Sequence, residues 1–277
     1  MSLIEQVVNY AQSVMAKADP RTDGMLLMDS PWLSLSICIL YVIFVQVIGP
    51  KLMANREPFK LKELMIVYNF AMVILSGYIF MEFGICGWFG NYSYGCQPVD
   101  YSNSPNALRM LRVCQLFHLS KYIELLDTVI FVLRKKFNQI SFLHVFHHGV
   151  MPISWWFGVK FVAGGFGTFH GWLNSWIHFM MYIYYGIAGL GPAYQKYIWW
   201  KKYMTSLQLL QFALVTIHSI QLFFIPCNYP VLFTWWILSY AVIFFAMFSN
   251  FYVKAYKKPK KEAVRNGVHN GKDKKGD

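Results

Sequence analysis

Trp32–Pro50 reads WLSLSICILYVIFVQVIGP, nineteen residues without a charge. A bilayer core of about 30 Å takes roughly 20 apolar residues of helix to cross, so this stretch has the length and character of a membrane span. Working outward, six further stretches qualify: 64–83, 107–133, 140–161, 168–189, 203–225 and 231–253. The chain of 277 residues is 56% hydrophobic, 19% aromatic and only 14% charged. Soluble domains carry roughly a quarter charged residues. These figures argue against a soluble globular enzyme, a disordered chain and a nucleic-acid binder. The expected architecture is an all-α integral membrane protein with seven transmembrane helices. Residues 1–31 are mixed and polar, with no continuous apolar core, so the first span should act as its own insertion signal.

The net charge of +12 is unevenly distributed. Lys and Arg number four in 51–63, three in 134–139, three in 190–202 and nine from Lys254 to the end, all on one side of the seven spans. The other side has only Lys17 and Arg21 outside the spans. Loops rich in Lys and Arg stay cytosolic, which divides the chain into a lumenal segment 1–31, a membrane domain 32–253 and a basic cytosolic tail 254–277. The sequon Asn91-Tyr92-Ser93 falls on the lumenal side, where glycosylation is chemically open to it. Cys96 and Cys227 fall in the two lumenal loops, where an oxidising compartment permits a disulfide between them. The tail ends Lys274-Lys275-Gly276-Asp277, resembling the dilysine retrieval signal of endoplasmic-reticulum membrane proteins.

Polar groups inside spans are costly and mark function by default. In the third span Lys121, Glu124 and Thr128 share a helix face, with Asp127 beside them. The fourth span carries His144, His147 and His148 as H-x-x-H-H, and Pro152 follows, where a missing N–H invites a kink. In the fifth, Asn174, His178, Met181, Tyr182 and Tyr185 form one stripe. In the sixth, Thr205, Gln208 and Gln211 recur every three residues, and His218 lies two turns beyond Gln211. The four stripes are expected to wall one polar chamber.

Three chemistries compete for that chamber. A di-iron site of the membrane desaturase type needs about eight histidines in three boxes, and this chain has a single box. A seven-span receptor fits the count, but D-R-Y and N-P-x-x-Y are missing from the third and seventh spans. A histidine nucleophile accounts for more: imidazole attacks a thioester to give an acyl-imidazole, which survives only in a dry site. Neighbouring imidazoles and carboxylates would move protons, and Asn, Gln and His N–H groups would hold oxyanions. Cys114 is a rival nucleophile without a visible activating group.

Lys121-x-x-Glu124-x-x-Asp127-Thr128, His144-x-x-His147-His148, Asn174-x-x-x-His178-x-x-Met181-Tyr182-x-Tyr184-Tyr185 and Thr205-x-x-Gln208-x-x-Gln211 occur in that order. Together they resemble the very-long-chain fatty acid elongases of the ELO family, a likeness that extends over nearly the whole chain. The resemblance implies a 3-oxoacyl-CoA synthase of the endoplasmic reticulum. It would join a long-chain acyl-CoA to malonyl-CoA with loss of CO2 and CoA, using no metal or cofactor. It also implies six helices around a narrow acyl-CoA tunnel with the first helix peripheral. The reductases and dehydratase of the elongation cycle are the expected partners, beside membrane lipids and a possible second copy.

The choice of His147 over His148 as nucleophile rests on this resemblance. His178 would then stabilise the reacting carbonyl, and His144 and His148 would set tautomers. Lys121, Glu124 and Asp127 would form a charge network, and Asn174, Gln208 and Gln211 would donate hydrogen bonds. CoA phosphates need a basic cytosolic entry, for which Arg134, Lys135, Lys136, Lys196, Lys201, Lys202 and Lys254 are candidates. Trp155, Trp156, Trp172, Trp176 and Phe179 are the bulky candidates to close the tunnel.

Overall fold

A computed structural model describes residues 2–257, and across them the chain is helical, with no strand. A short helix α1 (Leu3–Met15) precedes α2 (Pro31–Ile43), which runs on through a wider turn (Phe44–Ile48) into α3 (Gly49–Met53). Then come α4 (Lys62–Phe83), α5 (Pro105–Ile123), α6 (Leu125–Leu133), α7 (Phe142–Val162), α8 (Thr168–Leu190), α9 (Lys201–Ile220) and α10 (Val231–Tyr252). Starts are written locally: the Ser30 and Ser104 side chains accept from Trp32 N and Ala107 N, each followed by a proline in the first turn, and Ser141 accepts from His144 N. These hydroxyls satisfy amides that a helix start leaves unpaired. Only Glu124 interrupts the regular winding between α5 and α6.

Among the described residues, four helices are long and apolar enough to cross a membrane: Pro31–Met53, Lys62–Trp88, Lys201–Phe223 and Val231–Tyr256. Less than a third of the most apolar 18-residue stretch of each is buried inside the protein, at 28%, 22%, 28% and 17%, so their apolar side chains largely face outward, as a lipid-facing belt requires. This is a multi-pass membrane protein. The other three long segments, Pro105–Leu133, Phe142–Val162 and Thr168–Leu190, carry the charged and histidine-bearing stripes that lower their hydropathy.

The helices form a closed ring. α4 runs along α8, α8 along α9 and α9 along α10; α10 touches α7, α7 packs on α5, and α5 returns to α4. α2 stands outside, against α7, and α3 packs on α6. Close approach of α8 to its neighbours needs Gly171, where a Cβ would lie 2.9 Å from the Trp155 ring and 3.3 Å from Phe83.

One end of the ring is stitched by loops. Cys96 and Cys227 are joined by a disulfide, Gln221 Nε2 donates to Tyr94 O at 2.7 Å, and Phe166 N donates to Gln97 O at 2.8 Å. Gly165, at φ +64°, leaves only 2.8 Å between a hypothetical Cβ and the backbone of Gln97 and Pro98, so a side chain is doubly excluded there. The N-terminal segment is tied to the same end: Asp19 N donates to Lys160 O at 2.8 Å, Lys160 Nζ to Asp23 Oδ1 at 2.8 Å, and Trp156 Nε1 to Leu27 O at 2.9 Å. Asn91 is exposed at this end, its amide donating to Ile85 O at 2.9 Å. At the opposite end the basic loops meet, with Lys135 Nζ on Ala54 O at 3.1 Å and Phe59 N on Leu133 O at 3.1 Å. Lys274, Lys275 and the tail beyond Lys257 lie outside the described residues.

Cys38, Cys86 and Cys114 are buried free thiols. Thiol titration of the denatured, unreduced protein should therefore find three groups per chain, rising to five after reduction. A count of five before reduction would remove the cross-link.

Candidate active site

The ring encloses a chamber of about 280 Å³ towards the basic end. Three of the four polar stripes contribute to its wall, with His144, His147 and His148 from α7, Asn174, His178 and Met181 from α8, and Thr205, Gln208 and Gln211 from α9, while the third span contributes Asp127, which lies beside its stripe of Lys121, Glu124 and Thr128. A narrower cavity of about 20 Å³ shares His147, Asn174 and Phe212 with the chamber. A third, of about 50 Å³, shares Met151, His170, Ile237 and Tyr240 with the second. The three cavities follow one another towards the disulfide end, and His147 stands where the wide chamber meets the narrow extension.

Behind the chamber wall Lys121 and Glu124 are each 2% exposed and held by an ion pair of 2.7 Å. Lys121 Nζ also donates to Asn174 Oδ1 at 3.1 Å, tying α5 to α8, and lies 4.2 Å from the centre of the Phe117 ring. The same Glu124 Oε1 is 3.2 Å from His178 Nδ1, within ion-pair reach but out of line for a hydrogen bond. Glu124 Oε2 has no protein partner. Asp127 Oδ2 accepts from Tyr182 OH at 2.7 Å, again from α6 to α8. Lys121 and Asp127 are thus each hydrogen-bonded to α8, and Glu124 is neutralised by Lys121, which is what burial of charge demands.

A second chain of contacts reaches the histidines from outside the ring. Thr128 Oγ1 is 2.8 Å from His144 Nε2 and 2.8 Å from Tyr41 OH of α2. The His144 and His148 rings are 4.3 Å apart, those of His147 and His148 5.2 Å, and His147 meets Phe244 edge-on at 5.2 Å. Among the described residues, no three His, Cys, Asp or Glu side chains converge as metal ligands would.

Other sequence candidates fall elsewhere. Of the seven basic residues, Lys201 lines the chamber. Arg134 contacts Met65 and Lys135 bonds Ala54 O, so both are engaged by their neighbours. Lys196 and Lys202 lie over Tyr197 and Tyr203 at 5.0 and 4.9 Å, and Lys136 and Lys254 are exposed. Cys114 sits in the apolar core with Cys86 and Phe117 and lines none of the three cavities. Of the bulky residues expected to close a tunnel, only Trp155 lines a cavity of this series. Trp156 is fully buried on Leu27, Trp172 and Trp176 pack against Phe80, and Phe179 lies against Gly77. His218 is stacked between Phe166 and Phe169, with ring centres 3.9 and 4.0 Å away, so it is a packing residue and not part of the chamber wall. Sequence reasoning missed Tyr41 and His170. Tyr41 carried only a weak signal, one hydroxyl in an otherwise apolar span.

Removing one partner of a buried pair leaves an uncompensated charge and costs about 3–5 kcal/mol. Lys121→Met and Glu124→Gln should each lower the melting temperature of the purified protein sharply. The double variant should lose clearly less than the sum. Strict additivity would show that the two groups do not stabilise one another.

A family model described as ELO, the GNS1/SUR4 family, matches residues 26–264. The chain is 55% identical over 261 residues to very long chain fatty acid elongase 1 of Homo sapiens, covering 93% of each chain. It is 54% identical over 259 residues to very long chain fatty acid elongase 7 of Rattus norvegicus, covering 92% of each. To very long chain fatty acid elongase 4 of Homo sapiens it is 44% identical over 268 residues, covering 97% of this chain and 85% of that one.

Proposed function

The chain belongs to the ELO family and is an enzyme of fatty acid elongation, and on that premise we propose that it catalyses the condensing step, with His147 as nucleophile. The carrying observation is the place of His147 at the junction of a wide polar chamber and a narrow apolar extension. A thioester reacting there has its CoA on the wide, basic side and its acyl chain in the narrow one.

In the proposed route a His147 ring nitrogen attacks the acyl-CoA carbonyl carbon. The C–S bond breaks, CoA leaves as the thiol after taking a proton, and the acyl group stays as an acyl-imidazole. Malonyl-CoA then loses CO2, and the electron pair of that C–C bond becomes an enolate. The enolate carbon attacks the acyl carbon, the C–N bond breaks, and a 3-oxoacyl-CoA two carbons longer departs. His178, Asn174, Gln208 and Gln211 supply N–H groups towards the developing oxyanions. Asn174 is oriented for this by Lys121, which occupies its carbonyl oxygen. His144 and His148 set the His147 ring orientation, and Asp127 is part of the charge network with Lys121 and Glu124. The route uses no metal or cofactor beyond the two CoA substrates.

The same reading has seven spans in the endoplasmic-reticulum membrane, with the disulfide end lumenal and the basic end cytosolic. Up-and-down alternation of the seven long helical segments and the one-sided Lys/Arg loops support it. The 21-residue α7 measures about 32 Å at ~1.5 Å per residue, enough to cross. In this reading the 3-oxo product is delivered to reductases and a dehydratase in the same membrane. In this reading Lys201 meets CoA phosphates, which its position in the chamber lining supports, and Arg134, Lys135, Lys136, Lys196, Lys202 and Lys254 contribute to the field around the entrance.

The test is mass spectrometry of purified protein with malonyl-CoA and acyl-CoAs of several lengths. Wild type should yield the 3-oxoacyl-CoA two carbons longer, and His147→Ala should reduce it by roughly 10³-fold or more. With acyl-CoA alone, one equivalent of free CoA should appear and the acyl mass should map to His147. Free CoA release unchanged in His147→Ala would defeat the covalent route, and a folded wild type that makes no product would defeat the condensing assignment. Lys201→Ala should raise KM for both CoA substrates while leaving kcat within about twofold, since a phosphate contact binds ground and transition states alike.

A further inference from the structure

Helix α1 differs from the spanning helices in how its side chains are sorted. Its sequence, LIEQVVNYAQSVM, has eight apolar and five polar residues. At about 100° per residue, all eight apolar positions fall within one arc of roughly 160°, and Glu5, Gln6, Asn9, Gln12 and Ser13 fill the rest. No residue breaks the division. In the structure the apolar arc is open: Leu3 and Ile4 are 76% and 77% exposed and Val8 is 46% exposed. In the last turn Met15 packs on the core. The start is well made, with Ser2 and Glu5 closing a reciprocal cap at 3.2 and 2.7 Å, yet a helix of 13 residues is marginal in water without a surface to lie on.

What covers the arc follows from where α1 is held and from its charge. The next segment is stitched to the end of α7 through Asp19–Lys160, Lys160–Asp23 and Trp156–Leu27 contacts. That is the disulfide end, where the long apolar helices leave the hydrocarbon. Leu26 and Trp32, 65% and 71% exposed, flank the start of α2 there, the level at which Trp residues mark a membrane interface. Glu5 is the one charge on the helix. An acidic protein surface or a nucleic acid would be repelled, and an anionic lipid surface would not be sought. A zwitterionic leaflet suits an uncharged arc of this kind.

We infer that α1 lies in the plane of the bilayer at the disulfide end, its apolar arc sunk to the acyl boundary and its polar arc in water, as an interfacial anchor. This goes beyond the elongation reading and does not depend on it.

The full chain, reconstituted in phosphatidylcholine vesicles, tests the inference. Val8→Cys on the apolar arc or Gln12→Cys on the polar arc is labelled with nitrobenzoxadiazole, the unsubstituted chain with its buried thiols serving as the blank. The Val8 label should be quenched several-fold more than the Gln12 label by phosphatidylcholine spin-labelled near the headgroup. Aqueous iodide should show the reverse order. Equal iodide quenching at both sites, with no quenching by lipid, would overturn the inference. So would protection of Val8 that disappears when protein is diluted into excess lipid, because a second copy would then be the cover. Both labelled positions are exposed, and unchanged melting temperatures establish that the fold is intact. Elongation measured on the same vesicles separates this result from the fate of the catalytic reading.

Discussion

Everything in the centre of this protein hangs on a lysine and a glutamate that have left water. Each is buried, and neither could stay so alone, since an unpaired charge in such surroundings costs several kcal/mol. Pairing removes most of that cost, and the remaining valences do structural work. Lys121 Nζ takes Asn174 from α8 as its second partner, and Glu124 Oε1 is approached by His178 of the same helix. The ion pair thereby sets where two chamber residues of α8 stand relative to α5. Asp127 repeats the device through Tyr182. A ring whose outer surface is apolar concentrates its polar contacts inside, because the interior is the one place they find partners.

Helix α7 then converts a helical period into a path. His147, Met151, Ser154, Trp155, Gly158 and Val162 line successive cavities, and their spacing of three and four residues places them on one face. From His147 to Val162 the rise is about 22 Å at ~1.5 Å per residue. The proposed nucleophile and the wall that would receive an acyl chain are therefore on a single rigid element. The distance between them is counted in helical turns, and loop positions do not enter it. The histidines of that helix are also supported from the lipid-facing side, since Tyr41 of the peripheral helix reaches Thr128 and, through it, His144.

Much of this was legible beforehand. Spans read as 107–133, 140–161 and 168–189 correspond to Pro105–Leu133, Phe142–Val162 and Thr168–Leu190, because apolar runs and capping serines are local properties. The four stripes were legible because a polar side chain in a span is expensive enough to be informative. Where reading fell short, non-local packing was the reason. Five aromatic residues were candidates for the tunnel wall, yet four of them are used against α4 or the N-terminal segment. His218 continues the Gln211 stripe by spacing but is taken up by Phe166 and Phe169. Residues 1–31 read as mixed and polar, although Leu3–Met15 sorts its residues cleanly once a helical period is applied.

By itself the sequence determined the apolar surroundings of this protein, the approximate limits of its long helices, the gathering of its basic loops at one end, and the polar faces that had to be hidden. These follow from transfer free energies and helical periodicity, which depend on residue type and spacing alone. The tertiary structure decided which face meets which. It put Lys121 on Asn174, Tyr41 on Thr128, and His147 at the narrowing of the cavity. Such contacts join residues tens of positions apart, and they depend on the order in which six helices close a ring and on side-chain volumes at each crossing. No local pattern carries that information, because the same stripes could line other neighbours in a bundle closed in another order.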